Sequence, residues 1–106
     1  MKVFNVVLAA AFVSGLAAAY ATEKAIHQKG KVFSESEITV KVGDSLLFVN
    51  DDNIIHNVMS TTEGHKFNLG PMKPGNATPV TFKNAGEVKV LCAIHPPMRM
   101  TVKVVQ

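Results

Sequence analysis

The chain has 106 residues, a formal net charge of +3 at pH 7 and a single cysteine. The positive charge is mild and comes with no basic run and no interleaving of basic and aromatic residues, which argues against a nucleic-acid partner. A single cysteine cannot form an intramolecular disulfide, so its thiol is free, intermolecular or a metal ligand.

The first 21 residues have the pattern of a secretory signal peptide. Lys2 supplies a short positive segment, residues 3–18 are almost entirely apolar, and Ala19-Tyr20-Ala21 offers the small-residue cleavage pattern. The apolar run is short for a transmembrane helix, which needs about 20 predominantly apolar residues. We therefore predict secretion with cleavage after Ala21, and a mature domain of residues 22–106 with no membrane span.

The rest of the chain alternates apolar and polar residues with a period of two, which is typical of half-buried strands. Turn residues such as Gly43-Asp44 and Ala85-Gly86 separate the alternating segments. We predict a single all-β domain, an antiparallel Greek-key β-sandwich of about seven strands. The predicted strands are 38–42, 45–50, 55–60, 78–82, 88–92 and 100–105, preceded by one edge strand over 25–33 that is interrupted near Gly30.

Four residues form the ligand set of an electron-transfer copper site. Cys92, His95 and Met98 follow one another at intervals of three, and His56 lies upstream in a segment after two isoleucines. One thiolate, two imidazoles and a weak axial thioether suit copper in both oxidation states. We therefore predict that His56, Cys92, His95 and Met98 bind one copper ion per chain.

Two alternatives to this assignment remain. Met100 could replace Met98 as the axial ligand, but it alternates in phase with Val102 and Val104, which favours a position in the core. A structural zinc site would use the cysteine and the histidines but leave the methionine without a role.

The neighbours of these residues also carry predictions. The side chain of Asn57 is expected to hydrogen-bond to the loop after Cys92, and its backbone N–H to donate to the thiolate. His27 and His65 have no comparable context and are predicted to be surface residues.

Several segments of the chain resemble the cupredoxins, and the resemblance runs over about residues 38–105. They are Val42-Gly43-Asp44, His56-Asn57-Val58, Gly70-Pro71-Met72 and Cys92-x-x-His95-Pro96-x-Met98-Arg99. The two residues between His95 and Met98 are similar to the loop of amicyanins rather than to that of plastocyanins or pseudoazurins. The resemblance implies a periplasmic type 1 blue copper protein that carries one electron at a time between partners such as a dehydrogenase and a c-type cytochrome.

The chain also differs from amicyanins near the predicted site. Ile94 stands where amicyanins have proline, and Pro97 replaces an aromatic residue, which removes a flat docking group beside His95. We expect a monomer with an apolar patch around His95 for transient docking of redox partners. The patch residues are expected to be Leu69, Met72, Ile94, Pro96 and Pro97.

Two other classes of function compete with that of an electron carrier. An enzyme is not expected, because a site closed by four protein ligands leaves no coordination position for a substrate. The alternative function is copper handling, in which a periplasmic protein delivers the ion or confers resistance to it.

Overall fold

The computed structural model describes residues 21–106. The predicted signal peptide lies outside this range except for Ala21. The described chain contains nine strands and no helix: β1 Glu23–Lys29, β2 Val32–Phe33, β3 Glu37–Lys41, β4 Ser45–Asn50, β5 Met59–Ser60, β6 Phe67–Asn68, β7 Ala77–Thr81, β8 Gly86–Leu91 and β9 Arg99–Val105. Between residues 21 and 106, nothing of helical form is long and apolar enough to cross a membrane.

The strands form two sheets, with the order β2-β1-β4-β7 in one and β3-β9-β8-β5-β6 in the other. The all-β sandwich predicted from the sequence is therefore confirmed. The structure has two strands more than the predicted seven, because the predicted strand over 25–33 is divided into β1 and β2 and because β6 was not predicted; β2 and β6 contain only two residues each. Such short pairings are too brief to give an alternating pattern.

Both sheets are mixed, whereas the sequence predicted an antiparallel sandwich. β1 pairs in parallel with β4, and β3 pairs in parallel with β9. The prediction of an edge strand over 25–33 is also wrong for most of its length, because β1 lies between β2 and β4 and only β2 is at the edge. Ile26 and Gln28 are accordingly buried in β1.

The core lies between the sheets and follows the period-two pattern of the long strands. Residues 46, 48 and 50 of β4 and residues 100, 102 and 104 of β9 point inward, as their alternation predicts. The buried apolar residues are Ile26, Phe33, Val40, Leu46, Phe48, Val58, Met72, Phe82, Val88, Val90, Cys92, Met98, Met100, Val102 and Val104.

The two ends of the sandwich differ in the turns and loops that they carry. At one end the chain turns from β3 to β4 through Gly43, whose φ of +97° is a conformation that L side chains rarely adopt. At the other end β4 stops at Asn50, β8 stops at Leu91 and β9 begins at Arg99, paired with Leu91. The loops at this second end carry all four predicted metal ligands on a scaffold fixed by both sheets.

Candidate metal centre

His56, Cys92 and His95 come together at this end of the sandwich. The Sγ of Cys92 lies 4.0 Å from Nδ1 of His56 and 3.9 Å from Nδ1 of His95. All three donor atoms are within 4.8 Å of one another. Transition-metal bonds to nitrogen and sulfur are about 2.0–2.3 Å long, so one ion between these atoms would reach all three.

A short loop after β8 brings Cys92, His95 and Met98 together. The N–H of Met98 donates to the carbonyl oxygen of His95 at 2.8 Å, and the N–H of Cys92 donates to the carbonyl oxygen of Met98 at 3.1 Å. These bonds fold the seven-residue loop of residues 92–98 tightly onto itself. Met98 is only 1% exposed and lies directly before β9, while Met100 is 3% exposed and lies within that strand.

His56 reaches the site from a different backbone environment than the sequence predicted. The strand expected over 55–60 is limited to β5, and His56 instead forms an isolated bridge with Met72. The N–H of His56 donates to the oxygen of Met72 at 3.0 Å, and the N–H of Met72 donates back at 2.7 Å. This two-way contact fixes the backbone of His56 without a continuous strand.

The far side of the His56 ring is held by Asp52, a residue that was not among those predicted to contribute to the site. Nε2 of His56 lies 2.6 Å from Oδ2 of Asp52, and the imidazole is fully buried. With Nε2 engaged by a carboxylate, Nδ1 is left facing Cys92 and His95. The sequence feature that could have indicated this role is the position of Asp52, a carboxylate four residues before the predicted ligand His56.

The carboxylate of Asp52 is itself anchored by the turn between β1 and β2. The N–H groups of Gly30 and Lys31 donate to it at 2.9 and 3.2 Å. Both residues have positive φ, +66° and +60°, which turns their consecutive N–H groups toward one anion. The pKa of Asp52 is lowered to about 2, mainly by the hydrogen bond with His56 and to a smaller extent by the hydrogen bond from Gly30.

Asn57 makes both contacts predicted for it. Its backbone N–H donates to Sγ of Cys92 at 3.3 Å, and its side-chain oxygen accepts the N–H of Ala93 at 3.1 Å. Its Nδ2 also donates to Oδ1 of Asn68 at 2.9 Å and to the oxygen of Gly70 at 3.1 Å. One buried amide therefore ties together the three loops that surround the site.

Asn50, at the end of β4, also connects loops near the site through its side-chain amide, although this amide hydrogen-bonds to residues other than the predicted ligands. Its Nδ2 donates to the carbonyl oxygens of Ile54 and Met72 at 2.9 and 2.8 Å, and its Oδ1 accepts the N–H of Asp52. The oxygen of Met72 also accepts the N–H of His56. The segment that carries Asp52 and His56 is therefore fixed at both of these residues.

The surface around His95 is apolar and partly as predicted. Ile94 is 52% exposed, Pro96 and Pro97 are exposed, and Leu69 is half-buried beside the core. Met72 does not belong to this surface, because it is only 2% exposed and its backbone is paired with His56.

The two remaining histidines lie outside the cluster. His27 is exposed and pairs with Asp51, as expected of a surface residue. His65 is half-buried, with its ring nitrogens beside the carbonyl oxygens of Glu63 and Asn84.

Comparison with known proteins gives this geometry a family context. The family model described as copper binding proteins, plastocyanin/azurin family, matches residues 18–105. The methylamine utilization protein MauL of Methylorubrum extorquens strain AM1 is 35% identical over 101 residues, covering 94% of this chain and 89% of MauL.

Solved structures agree with the family model. A purple cupredoxin from Nitrosopumilus maritimus superposes with a TM-score of 0.69 at 26% identity, covering 76% of this chain and 98% of that one. A point mutant of amicyanin in the Cu(I) form superposes with a TM-score of 0.72 at 29% identity, covering 83% of this chain and 88% of the other.

Proposed function

Because the chain belongs to the plastocyanin/azurin family of copper-binding proteins, we propose that it is a periplasmic one-electron carrier. Copper is its cofactor, and the chain is a copper-binding protein rather than an enzyme. We further propose that His56, Cys92, His95 and Met98 are the copper ligands. When bound, the ion supplies a one-electron couple between Cu(I) and Cu(II).

The observation that carries the proposal is the convergence of two imidazole nitrogens and one thiol sulfur within 4.8 Å. Cys92 and His56 are fully buried, so their polar atoms are removed from water. Buried donor groups need partners, and a metal ion would provide one for all three side chains at once. The backbone N–H of Asn57 donates to Sγ of Cys92, a contact that would orient this sulfur as a ligand.

The axial position is assigned to Met98 on three grounds. Met98 lies in the same short loop as Cys92 and His95, its side chain is buried, and its backbone contacts both of those residues. Met100 is within β9 and aligned opposite Val90 of β8, in phase with Val102 and Val104 of the core. A residue in that register serves the packing of the sandwich.

The burial pattern supports electron transfer through His95. Of the three clustered donor residues, His95 alone is partly exposed. Its exposed neighbours Ile94, Pro96 and Pro97 offer a small apolar surface at the end of the sandwich. A surface of this size suits a redox partner that binds briefly and leaves. We propose that a donor and an acceptor protein each dock here.

The experiment that tests this function separates electron transfer from copper delivery. The chain of residues 22–106 is loaded with Cu(II), and the rate of electron exchange is compared with the rate of copper loss to a chelator. A carrier shows a strong visible band, reversible one-electron cycling and copper loss far slower than electron exchange. Copper that transfers to the chelator as fast as electrons exchange would indicate a delivery protein instead.

The Cys92→Ser variant serves as the matched control for the visible band. The band arises from thiolate-to-Cu(II) charge transfer, so the variant is expected to lose it. A serine variant that stays strongly coloured would show that Cys92 is not a ligand.

A further inference from the structure

A second feature lies at the opposite end of the sandwich, where the β3–β4 turn meets the start of β1. Asp44 in this turn is 9% exposed, and its carboxylate has two backbone partners. Oδ1 accepts the N–H of Thr22 and Oδ2 accepts the N–H of Lys41, both at 2.9 Å. The main chain of Asp44 is also fixed, because its oxygen accepts the N–H of Phe82 at 2.9 Å.

Thr22 is held in place from its other side as well. Its carbonyl oxygen accepts the N–H of Ser45 at 2.9 Å, and the next residue, Glu23, begins the parallel register with Ser45. The contacts of Thr22 and Glu23 with Ser45 therefore hold the backbone nitrogen of Thr22 beside the carboxylate of Asp44. The bond that makes this nitrogen an amide is the Ala21–Thr22 peptide bond, where the sequence predicts signal cleavage.

We propose that cleavage after Ala21 creates an ion pair between the new α-ammonium group of Thr22 and the carboxylate of Asp44. The inference depends on the proposed processing and not on the copper site. Hydrolysis consumes one water molecule, leaves a carboxylate on Ala21, and leaves an amine on Thr22 that binds a proton at neutral pH. The uncleaved chain donates only a neutral N–H to Oδ1 of Asp44, so cleavage adds a positive charge to a contact that the precursor already has.

The charges around the pair define how it depends on pH. Lys41 of β3 is the cation close enough to act on Asp44, and Glu23 follows Thr22 directly in β1. The hydrogen bonds from Thr22 and Lys41 hold the pKa of Asp44 below its ordinary value, so this carboxylate is ionised at neutral pH. An α-amine has an ordinary pKa of about 7.7–8.0, and a neighbouring carboxylate raises it in the folded state.

The sign of the effect follows from this shift. A group whose pKa is raised by folding contributes its full stabilisation below the ordinary value and loses it as the pH rises through the raised value. Because Thr22 is exposed, the pair is partly screened and its effect is modest. For a domain of this size we expect a rise in melting temperature on the order of 2–5 °C.

The test compares two chains that both begin at Thr22, one with a free amine and one with an N-acetyl group that keeps the N–H but removes the charge. Melting temperatures of the copper-free chains are measured at about pH 6.5 and about pH 9.5, on either side of the amine titration. The free-amine chain should melt higher at the lower pH, and the difference should vanish at the higher pH. Equal melting temperatures at the lower pH, or a difference that persists at the higher pH, would overturn the proposal.

The Asp44→Asn variant is prepared both with a free amine and with an N-acetyl group at Thr22, which completes a double-mutant cycle between the amine and the carboxylate. It should abolish the difference between the free and acetylated chains, because an amide carries no charge to pair with the ammonium. An NMR titration of the Thr22 amine in the unsubstituted chain gives a second measure that does not depend on the variant folding. A pKa at or below the ordinary range would contradict the ion pair.

The processing step is tested separately from the contact. The mass of the N-terminal peptide of the secreted protein should correspond to a start at Thr22. A different start would remove the amine from Asp44 and overturn the proposal while leaving the copper function unaffected.

Discussion

Asn57 gives the sharpest prediction about how the loops of the site are held. Its side chain makes three hydrogen bonds, to Asn68, Gly70 and Ala93, and it is only 5% exposed. The substitution Asn57→Ala removes all three bonds. Each is worth about 0.5–1.5 kcal/mol net, but water can reach the exposed partners Asn68 and Ala93 and recover part of the loss. We therefore expect a loss of about 2–3 kcal/mol in the free energy of unfolding.

A loss of this size is large for a small domain. One kcal/mol corresponds to about 4–8 °C in melting temperature, so the copper-free variant should melt on the order of 10–20 °C lower than the unsubstituted chain. Thermal unfolding followed by circular dichroism measures this directly. The visible band of the copper form should be retained, because the bond to Sγ of Cys92 comes from the backbone N–H of residue 57.

The matched control is Asn53→Ala, in the same region of the chain. Asn53 is exposed, and no side-chain hydrogen bond of this residue is found between residues 21 and 106. Its substitution should change stability by no more than about 0.5 kcal/mol. Equal melting temperatures for the two variants would refute the reasoning that Asn57 ties the loops together.

Two further predictions concern the metal centre. Met98→Leu should shift the reduction potential and the visible spectrum while copper still binds. Met100→Leu should leave both nearly unchanged and cost less than about 1.5 kcal/mol of stability. Voltammetry and absorption spectra measure these effects, and reversed outcomes would make Met100 the ligand. Asp52→Asn should weaken copper binding about 10–100-fold in a chelator competition, since it disrupts the contact that orients His56. Asp51→Asn removes the same charge from a residue that contacts His27 instead and should leave the affinity unchanged; equal losses would mean that charge alone matters.

The sequence was sufficient for the features that depend on local pattern. Period-two alternation located β4, β8 and β9, because each of these strands has one face in the core and one face in solvent. The spacing of Cys92, His95 and Met98 was informative because one short loop carries all three residues.

The features that the sequence did not reveal depend on contacts between distant segments. The parallel pairing of β1 with β4 leaves no mark on the alternation of either strand, because the pattern is the same for both directions. The strand predicted over 55–60 would begin at Ile55, but Ile55 is 45% exposed and lies outside β5. The role of Asp52 depends on the turn at Gly30 and Lys31, more than 20 positions upstream, which folds over it.

The assignment of the four copper ligands is tested most directly by a crystal structure of the Cu(II) form with anomalous diffraction data collected at the copper edge. We predict one strong anomalous peak per chain, bonded to Nδ1 of His56, Nδ1 of His95 and Sγ of Cys92, with the sulfur of Met98 at a longer axial distance. A peak outside this cluster, bonding through Nε2 of His56, or the sulfur of Met100 in the axial position would contradict it.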